Sequence, residues 1–340
     1  MMRRECLKEI GVANKKIGGA NPAYIVAEIG FNHEGSMELA VRMIEAAAKV
    51  GVDAVKFQSF NAGNLVLDTS DHFNLIKQGE LSADDHKYLA NAARESGITF
   101  LSTPFDKKNV DVLETIGVSA YKVASMDLTN LPLLQYIATT GKPMILSTGM
   151  GNLKEIAEAV ETVMNKGNSQ IILLHCISHY PAAPGDANLC AISYLKEVFG
   201  LPVGWSDHVL GNAVALAAVA MGACVIEKHF TVDKSLPGPD HKLSANPDEM
   251  LQLVQDIRII EKSMGSNKTL WERPDRQMSR IFRRGIFAGM DIPAGTVITE
   301  GMVKCLRPEE GLPPKNLETV IGRVVKVAIK KNQPILWDMI

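Results

Sequence analysis

Short apolar runs alternate with helix-like segments along the first two thirds of the chain. Eight such runs occur before residue 232, and they end near Glu28, Gln58, Thr103, Lys122, Ser147, Cys176, Ser206 and His229. Segments with helical spacing of apolar residues lie between them, at 37–50, 84–96, 107–116, 131–140, 153–166, 187–199 and 211–222. Because the runs are apolar on both faces and are separated by helices, the pattern predicts a parallel sheet covered by helices.

The number of repeats favours a closed α/β barrel. Eight strand and helix repeats within roughly 200 residues fit a (β/α)8 barrel near the short end of its usual range. An open, doubly wound sheet is the alternative, although such sheets usually have about five to seven strands. The longest gap between predicted elements, 61–83, follows the second strand, and we expect it to be a loop over the catalytic face.

The pattern changes after the eighth strand. A helix over 247–264 is predicted to close the barrel domain, which spans 1–265, and a polar stretch with Gly, Ser and Pro predicts a linker over 266–281. Short strand-like runs broken by Pro and Gly then continue to the end. Residues 282–340 are therefore predicted to form a small, separate β-rich domain.

Composition and charge narrow the classes of function. The 340-residue chain has a net charge of −2, which argues against nucleic acid or an anionic membrane as a partner. Its five cysteines include no CxxC pair, and three lie in or beside apolar runs, so we expect reduced thiols in a cytoplasmic protein. Since no apolar run reaches about 18 residues, the sequence predicts neither a signal peptide nor a membrane span.

Two histidines follow matched strand ends within the segment 204–230. His208 follows the run at 201–203 and His229 follows the run at 224–226, with an Ala-rich helical segment between them. This strand, helix, strand order places both at one edge of a parallel sheet, where α/β barrels gather their catalytic side chains. Two neutral imidazoles side by side form half of a metal site, whereas either histidine alone is more typical of a structural residue.

The other predicted strand ends carry residues that bind anions or move protons. Lys56 and Gln58 are two residues apart and therefore lie on the same face of the second strand, and Lys122 ends the fourth strand. Because a buried lysine without an anionic partner is costly, the two lysines predict an anionic ligand, most simply a phosphate and a carboxylate. The small-residue segment 147–151 precedes a helix, as in phosphate-binding loops. Helix capping or solvent exposure is the structural alternative for each side chain.

Eight short motifs carry a resemblance to a known family. They are AEIGFNHEG (27–35), VKFQ (55–58), STPF (102–105), YKVAS (121–125), LSTGM (146–150), WSDH (205–208), EKHF (227–230) and GPDH (238–241). With them the chain resembles the sialic acid synthases, the nonulosonate synthases that make N-acetylneuraminate, legionaminate or pseudaminate. The tail RRGIFAGMDIPAGTVITEGMVKCLRP is similar to the antifreeze-like (SAF) domain of these enzymes. The resemblance runs from about Ala23 to Ile340 and implies a (β/α)8 TIM barrel followed by a SAF domain.

The resemblance also implies a reaction and a set of site residues. The reaction is condensation of phosphoenolpyruvate with an N-acyl-hexosamine aldehyde such as N-acetylmannosamine, with phosphate released by C–O cleavage. His208 and His229 are the implied ligands of a divalent ion, usually Mn²⁺, with Mg²⁺ and Co²⁺ as alternatives. Glu28 and Glu227 are the implied catalytic residues, with no choice between them as the base. The residues implied to hold phosphoenolpyruvate are Lys56, Gln58, Thr103, Lys122, Ser125, Ser147, Asn188 and Ser206.

Sugar recognition is expected from two further residues. Arg307 matches an arginine that reaches the sugar's N-acyl group across a dimer interface, which implies a domain-swapped homodimer. His241 lies in the loop of the GPDH motif and is a candidate for sugar binding. N-acetylmannosamine and a 2,4-diacetamido-2,4,6-trideoxymannose, the legionaminate precursor, both remain open as the substrate.

Two other functions compete with this interpretation. A Schiff-base aldolase would use Lys122 or Lys56 as the nucleophile with pyruvate, and it would need no metal. A binding protein, even an ice-binding one, would use the C-terminal domain and retain the barrel as a relic. The convergence of two lysines, two histidines and a glutamate on one predicted face favours an enzyme over a relic.

Overall fold

The computed structural model describes residues 8–265 and 273–340, and it divides the chain into two compact units after Met264. Residues 266–272 of the predicted linker lie outside the described residues. The domain boundaries at 265 and 281 stay predictions. None of the helices in the described part of the chain is long and apolar enough to cross a membrane.

The first unit begins with a hairpin and continues with eight strands. The hairpin consists of β1 (Ile10–Val12) and β2 (Lys15–Ile17), paired antiparallel. The eight strands are β3 (Tyr24–Glu28), β4 (Ala54–Ser59), β5 (Thr99–Pro104), β6 (Tyr121–Val123), β7 (Met144–Ser147), β8 (Ile171–Cys176), β9 (Val203–Asp207) and β10 (Val225–His229). Each ends within one residue of its predicted end.

Helices follow the strands, and most begin at a side-chain cap. They are α1 (Met37–Lys49), α2 (Ala62–Leu65), α3 (Phe73–Gln78), α4 (Ala83–Glu95), α5 (Lys107–Ile116), α6 (Leu131–Ala138), α7 (Leu153–Met164), α8 (Cys190–Phe199), α9 (Ala213–Ala220) and α10 (Pro247–Ser263). Ser82, Asn152 and Asn246 form capping boxes, which satisfy amide groups that would otherwise lack partners. The gap at 61–83, which we expected to be a loop, contains the short helices α2 and α3.

The order of the strands identifies the fold. Seven parallel ladders connect β5, β4, β3, β10, β9, β8, β7 and β6 in that order, so chain neighbours are neighbours in space. The remaining pair, β5 and β6, lies side by side without a ladder in the described residues. A doubly wound sheet would reverse its order at a switch point. The predicted (β/α)8 TIM barrel is confirmed.

Successive side chains along each strand point alternately into and out of the barrel. Outward residues such as Ile25, Val55 and Trp205 pack against the helices in the larger core. Inward residues near the strand starts form a second apolar cluster with the hairpin, made of Ile10, Val12, Ile17, Tyr24, Val26, Ala54, Leu101, Ala120, Ile145, Ile172, Leu174, Cys224 and Val225. The amino-terminal end of the barrel interior is therefore filled, and the polar residues lie at the carboxyl end.

The second unit is small and rich in short extended segments. It contains α11 (Ser279–Phe282), β11 (Gly285–Ala288), β12 (Val303–Leu306) and α12 (Leu317–Val320). β11 and β12 pair antiparallel, and isolated bridges join further extended segments such as those at Ile292 and Ile329. Its own core consists of aliphatic residues, Ile286, Ile298 and Ile335 among them.

A substitution at Gly204 tests how tightly the barrel wall is packed. A Cβ added to this β9 glycine would lie 2.6 Å from the Val225 carbonyl oxygen and 2.7 Å from Leu174 Cδ2. We expect Gly204→Ala to lower the free energy of unfolding by about 1–3 kcal/mol, because the backbone of β10 cannot move away cheaply. Urea unfolding followed by circular dichroism measures the change. Gly11→Ala in β1, where an added Cβ meets nothing within 4 Å, is the matched control. Equal losses in the two variants would contradict this account.

Candidate active site

A cavity of about 580 Å³ opens at the carboxyl ends of the barrel strands. All eight strands contribute inward-facing residues to its lining. Every second residue of a strand points into the barrel, and these inward residues are apolar near the strand starts and polar near the strand ends. It brings together most of the predicted site residues, namely Glu28, Lys56, Gln58, Thr103, Lys122, Ser125, Ser147, Ser206, His208, Glu227 and His229.

Four charged side chains form the floor of the cavity. The ammonium of Lys56 lies 2.7 Å from Glu28 Oε2 and 3.7 Å from Glu227 Oε2, and the ammonium of Lys122 lies 3.4 Å from Glu227 Oε1. All four residues are buried. The lysines therefore already have anionic partners within the protein, so their burial alone does not require an anionic ligand, contrary to our expectation.

Strand register produces this arrangement. Glu28 on β3 is paired with Lys56 on β4, and Glu227 on β10 is paired with Ser206 on β9. Neighbouring residues of parallel strands point to the same face, so each pair projects side by side into the barrel. Ser206 Oγ donates to Glu227 Oε1 at 3.0 Å, and Gln58 Nε2 donates to Glu28 Oε1 at 3.0 Å.

The two glutamates differ in their affinity for a proton. Burial raises the pKa of Glu28, and Glu227 adds to that effect, while Lys56 opposes it without reversing it. Burial would also raise the pKa of Glu227, but Lys122, Lys56 and the Ser206 hydroxyl lower it to about 2. Glu227 has two ammonium groups near its carboxylate and Glu28 has one, which accounts for the difference. The two carboxyl groups of this cavity therefore differ in how readily they take up a proton.

The pKa values of the two lysines are also shifted in opposite directions. Burial lowers the pKa of Lys122, and the partly compensating carboxylate of Glu227 does not restore it. Burial also works against the charge of Lys56, but two carboxylates raise its pKa above the ordinary value. Lys56 is thus the firmly charged cation of the floor, and Lys122 is the amine that loses its proton more readily.

Hydroxyl groups surround the charged floor. Lys56 Nζ donates to Thr103 Oγ1 at 3.3 Å, and the amide of Gly149 donates to Ser125 Oγ at 3.1 Å. Ser147 Oγ is buried and has no hydrogen-bond partner among the described residues. Because an unsatisfied buried hydroxyl is costly, Ser147 is suited to a polar group of a ligand.

His208 and His229 lie at adjacent strand ends, with ring centroids 5.6 Å apart. Burial lowers the pKa of both imidazoles, and their mutual proximity contributes to the large shift of His229. His208 Nδ1 is 2.6 Å from the Ile177 carbonyl oxygen, which requires a proton on Nδ1 in the neutral ring and leaves Nε2 as a free acceptor. His229 Nδ1 is buried, has no hydrogen-bond partner in the described chain and lies 3.6 Å from Asp240 Oδ2.

These two residues fit a metal site that retains open positions. Neutral imidazoles are the form that binds a metal, and the unpartnered nitrogen of His229 provides a donor. Within 8–265 and 273–340 no group of three or more His, Cys, Asp or Glu side chains is arranged to hold an ion, so water or a substrate would have to complete the coordination. The donor set thus suits a borderline divalent ion better than a closed structural site.

A buried ion pair joins the two strands that end at the histidines. Lys228 Nζ is 2.6 Å from Asp207 Oδ2 and donates to the Val209 carbonyl at 2.8 Å. Lys228 and Asp207 are register partners on β10 and β9, directly before His229 and His208. The pair therefore ties together the two strand ends that carry the histidines.

Two predicted site residues do not line the cavity, and a third belongs to the second unit. Asn188 is exposed, has a positive φ of 41° and does not line the cavity. His241 is fully buried, with Nδ1 2.7 Å from Thr231 Oγ1 and Nε2 3.3 Å from Glu34 Oε1, so both its nitrogens are occupied. Arg307 belongs to the second unit, where its guanidinium lies 5.3 Å from the centre of the Phe282 ring.

Several lining residues were not predicted from the sequence. The Tyr180 ring lies 4.1 Å from His208 and 5.8 Å from His229, measured between ring centroids. Asp240 lines the cavity beside His229, and burial raises its pKa. His72 also lines the cavity. Tyr180 follows a strand end and Asp240 belongs to the GPDH motif, so both carried a signal that we did not use.

The chain matches known families over most of its length. Residues 43–269 match the NeuB family, and residues 283–340 match the SAF domain. The N,N′-diacetyllegionaminic acid synthase of Legionella pneumophila is 40% identical over 96% of this chain and 99% of that protein. The N-acetylneuraminate-9-phosphate synthase of Homo sapiens is 34% identical over 95% of this chain and 94% of that protein.

A solved structure extends the likeness to three dimensions. The crystal structure of N-acetylneuraminic acid (sialic acid) synthetase from Leptospira borgpetersenii serovar Hardjo-bovis, in complex with citrate, has a TM-score of 0.76 and 40% identity. The match covers 81% of this chain and 98% of that one.

Replacing Glu227 tests the electrostatics of the floor. Because its pKa is lowered to about 2 in the folded chain, its charge stabilises the fold above pH 4.5, and this contribution is lost as the pH falls toward 2. We expect Glu227→Gln to lower the free energy of unfolding by about 3 kcal/mol at pH 7 and by roughly half as much at pH 3. Urea unfolding in the presence of a chelator measures both values.

The matched control is Glu28→Gln, which removes a buried carboxyl whose pKa is raised. Since the ionised form of Glu28 works against folding, this variant should cost less stability at pH 7 than Glu227→Gln. Equal losses from the two variants, or a loss from Glu227→Gln that does not shrink in acid, would contradict the assignment.

Proposed function

The chain belongs to the NeuB family, and from this premise we propose that it condenses phosphoenolpyruvate with the aldehyde of an N-acyl-hexosamine, such as N-acetylmannosamine, and releases phosphate. Its relatives are synthases, which makes the chain an enzyme. One observation carries the proposal: two lysines, two glutamates with opposite pKa shifts and two neutral imidazoles line a single cavity at the catalytic edge of a barrel.

Phosphoenolpyruvate would lie on the charged floor. Its phosphate and carboxylate need cations and hydrogen-bond donors, which Lys56 and Lys122 supply together with Ser147, whose hydroxyl lacks a partner in the described chain. The other contacts proposed for this substrate are Gln58, Thr103, Ser125 and Ser206. Asn188 stays a proposal from resemblance alone, because it does not line the cavity.

His208 and His229 would hold a divalent ion, Mn²⁺ before Mg²⁺ or Co²⁺. When bound there, such an ion supplies Lewis acidity to the aldehyde oxygen of the sugar. The protein's own contribution is to keep both rings neutral by burial and to orient them through the Ile177 carbonyl and the Lys228–Asp207 pair.

The reaction moves electrons from the enol to the aldehyde. C3 of phosphoenolpyruvate attacks the aldehyde carbon, the aldehyde oxygen gains a proton, and water adds at C2 with loss of a proton. The tetrahedral centre then loses phosphate by C–O cleavage. Of the two glutamates, Glu28 takes up a proton more readily, because burial raises its pKa. Glu227, whose pKa is about 2, stays ionised and stabilises positive charge.

Sugar binding involves the second unit in this proposal. Arg307 of a partner subunit would contact the N-acyl group in a domain-swapped homodimer. His241 would act indirectly, since both its nitrogens are occupied and it is close in sequence to Asp240, which lines the cavity.

A Schiff-base aldolase is the second candidate, and one observation favours it. Burial lowers the pKa of Lys122, which increases the fraction of neutral amine that attacks a ketone. Borohydride with pyruvate would trap such an intermediate on Lys122, whereas the synthase reaction leaves no covalent bond to a lysine. Trapping with unchanged activity in a chelator would replace our proposal with this one.

Phosphate release tests the synthase reaction. With phosphoenolpyruvate, Mn²⁺ and either N-acetylmannosamine or 2,4-diacetamido-2,4,6-trideoxymannose, we expect phosphate release that requires the sugar. A chelator, and separately His208→Ala, should reduce the rate by about 100-fold or more, because electrostatic stabilisation of the aldehyde oxygen is lost. Lys87→Ala on the exposed face of α4 is the control and should leave the rate unchanged. Release that is independent of the sugar would contradict the proposal.

A hybrid dimer tests the role of Arg307. We expect His208→Ala and Arg307→Ala each to be nearly inactive as homodimers. Co-expression with two different tags and purification of the hybrid should restore about half of the wild-type activity, because one of its two sites then combines an intact barrel with an intact tail. If Arg307 acts within its own chain, or if no hybrid forms, activity will not return.

A further inference from the structure

A buried polar network lies outside the barrel wall, between two strands and a helix. Ser59 at the end of β4 and Ser102 on β5 point out of the barrel, and their hydroxyl oxygens are 2.6 Å apart. His86 on α4 has its Nε2 atom 2.6 Å from Ser59 Oγ. All three residues are fully buried. We call Ser59, Ser102 and His86 the Ser–His network.

The hydrogen bonds of this network have a fixed direction. His86 Nδ1 is 2.8 Å from the Ser82 carbonyl oxygen, which can only accept, so Nδ1 carries a proton. Burial lowers the pKa of His86, so the ring is neutral and Nε2 is an acceptor. Ser59 therefore donates to Nε2, and Ser102 donates to Ser59. Each hydroxyl proton of the network thus has a single acceptor.

The network ties the two strands to the start of α4. Ser82 is the N-cap of this helix and forms a capping box with Asp85. His86 lies one turn later, and both its backbone amide and its ring donate to the Ser82 carbonyl oxygen. The ring is held at the first turn of the helix and gives β4 and β5 a fixed reference.

Each serine of the network is next in the chain to a residue of the cavity. Ser59 follows Gln58, and Ser102 precedes Thr103. Gln58 and Thr103 are register partners on β4 and β5, and both line the cavity. Successive side chains of a strand point to opposite faces. A hydrogen bond on the outer face of these strands therefore also fixes the residues on their inner face.

β5 has ladder hydrogen bonds on one side only in the described part of the chain. It forms a parallel ladder with β4, whereas no ladder joins it to β6. Thr103, whose hydroxyl accepts from Lys56 Nζ at 3.3 Å, lies on this strand. The bond from Ser102 to Ser59 is a second attachment of β5 to β4, directly beside Thr103. The position of Thr103 in the cavity thus depends on the network.

Stability alone does not account for polar residues in this interface. The other buried residues of α4 are Leu89 and Ala93, which are apolar. A satisfied buried hydrogen bond contributes about 1 kcal/mol, and replacing both of its partners by apolar groups of the same shape is nearly neutral. Hydrogen bonds differ from apolar contacts in being directional, so they select one position of the strands relative to the helix.

We propose that His86 is a positioning residue: through the Ser–His network it holds Gln58 and Thr103 where they contact phosphoenolpyruvate. The inference rests on the proposed function, because these two contacts belong to it. His86 itself does not line the cavity. Loss of the network should weaken phosphoenolpyruvate binding by about tenfold, which corresponds to one hydrogen bond to the ligand, while the fold persists.

Isothermal titration of phosphoenolpyruvate into the full chain, without sugar, tests the inference. His86→Leu removes both ring nitrogens at a similar volume, and we expect the Kd to rise by about tenfold. His86→Gln keeps an acceptor for Ser59 in its carboxamide, so its Kd should stay within about twofold of the wild-type value. Ser102→Ala leaves no buried donor unpaired and therefore burdens folding less than His86→Leu does. Its Kd should also rise.

A destabilising change elsewhere on α4 separates positioning from stability. Leu89→Ala opens a cavity in the same interface between helix and sheet but removes no polar group. We expect a lower free energy of unfolding in urea and a wild-type Kd. Unfolded chains reduce the number of binding sites per chain in the titration and leave the Kd of the folded chains unchanged. A purely structural role of His86 would therefore not change the Kd.

The outcomes separate the inference from the function on which it rests. Wild-type affinity in both His86→Leu and Ser102→Ala would overturn the inference and leave the synthase function intact. Equal losses of affinity in His86→Leu and in either His86→Gln or Leu89→Ala would do the same. No binding of phosphoenolpyruvate by the wild-type chain would overturn the proposed function, and the inference with it.

Discussion

Burial of four charges in one barrel is the constraint on which the rest of the structure depends. An isolated lysine or glutamate in such a position would cost several kcal/mol, and only matched partners make the arrangement stable. The match between Glu28 and Lys56 comes from the register of β3 and β4. A slip of one residue would turn these side chains toward the helices and their apolar neighbours toward the cavity. The apolar layer below and the charged floor above therefore specify the same register.

Much of this architecture could be predicted because period-two alternation is visible in the sequence. Lys56 and Gln58 are two residues apart, so their shared face followed directly, and the strand ends were correct to within one residue. The short helices α2 and α3 escaped prediction because four and six residues are too few for a clear helical period. The positions of Asn188 and His241 also escaped, since they depend on how loops fold back, which local patterns do not encode. The pairing of each lysine with a glutamate required knowledge of which strands are neighbours.

The residues of the cavity that lie on strands are held more tightly than those that lie on connecting segments. Floor residues lie on strands whose neighbours fix them on both sides, so small changes there disturb the packing and the charge balance together. Cavity residues such as Leu75 and Met150 lie on connecting segments and are largely exposed, so a change of side chain there disturbs the fold less. This separation allows one family to contain synthases that are named for different sugar acids. It also explains why the sequence motifs, most of which fall at strand ends, say more about the proposed reaction than about the sugar.

The paired lysines impose a condition on the proposed binding of phosphoenolpyruvate. An anion that approaches Lys56 must compete with the carboxylate of Glu28, which lies 2.7 Å away. Two negative groups cannot share one buried ammonium without a large repulsion, so either the carboxylate moves or it takes up a proton. Because burial raises its pKa, Glu28 takes up such a proton more readily than Glu227, whose pKa of about 2 keeps it charged. A bound anion would thereby favour the protonated form of Glu28, and in the proposed reaction the aldehyde oxygen requires a proton in the next step. The charge pairing that stabilises the empty barrel would in this way prepare the acid for catalysis.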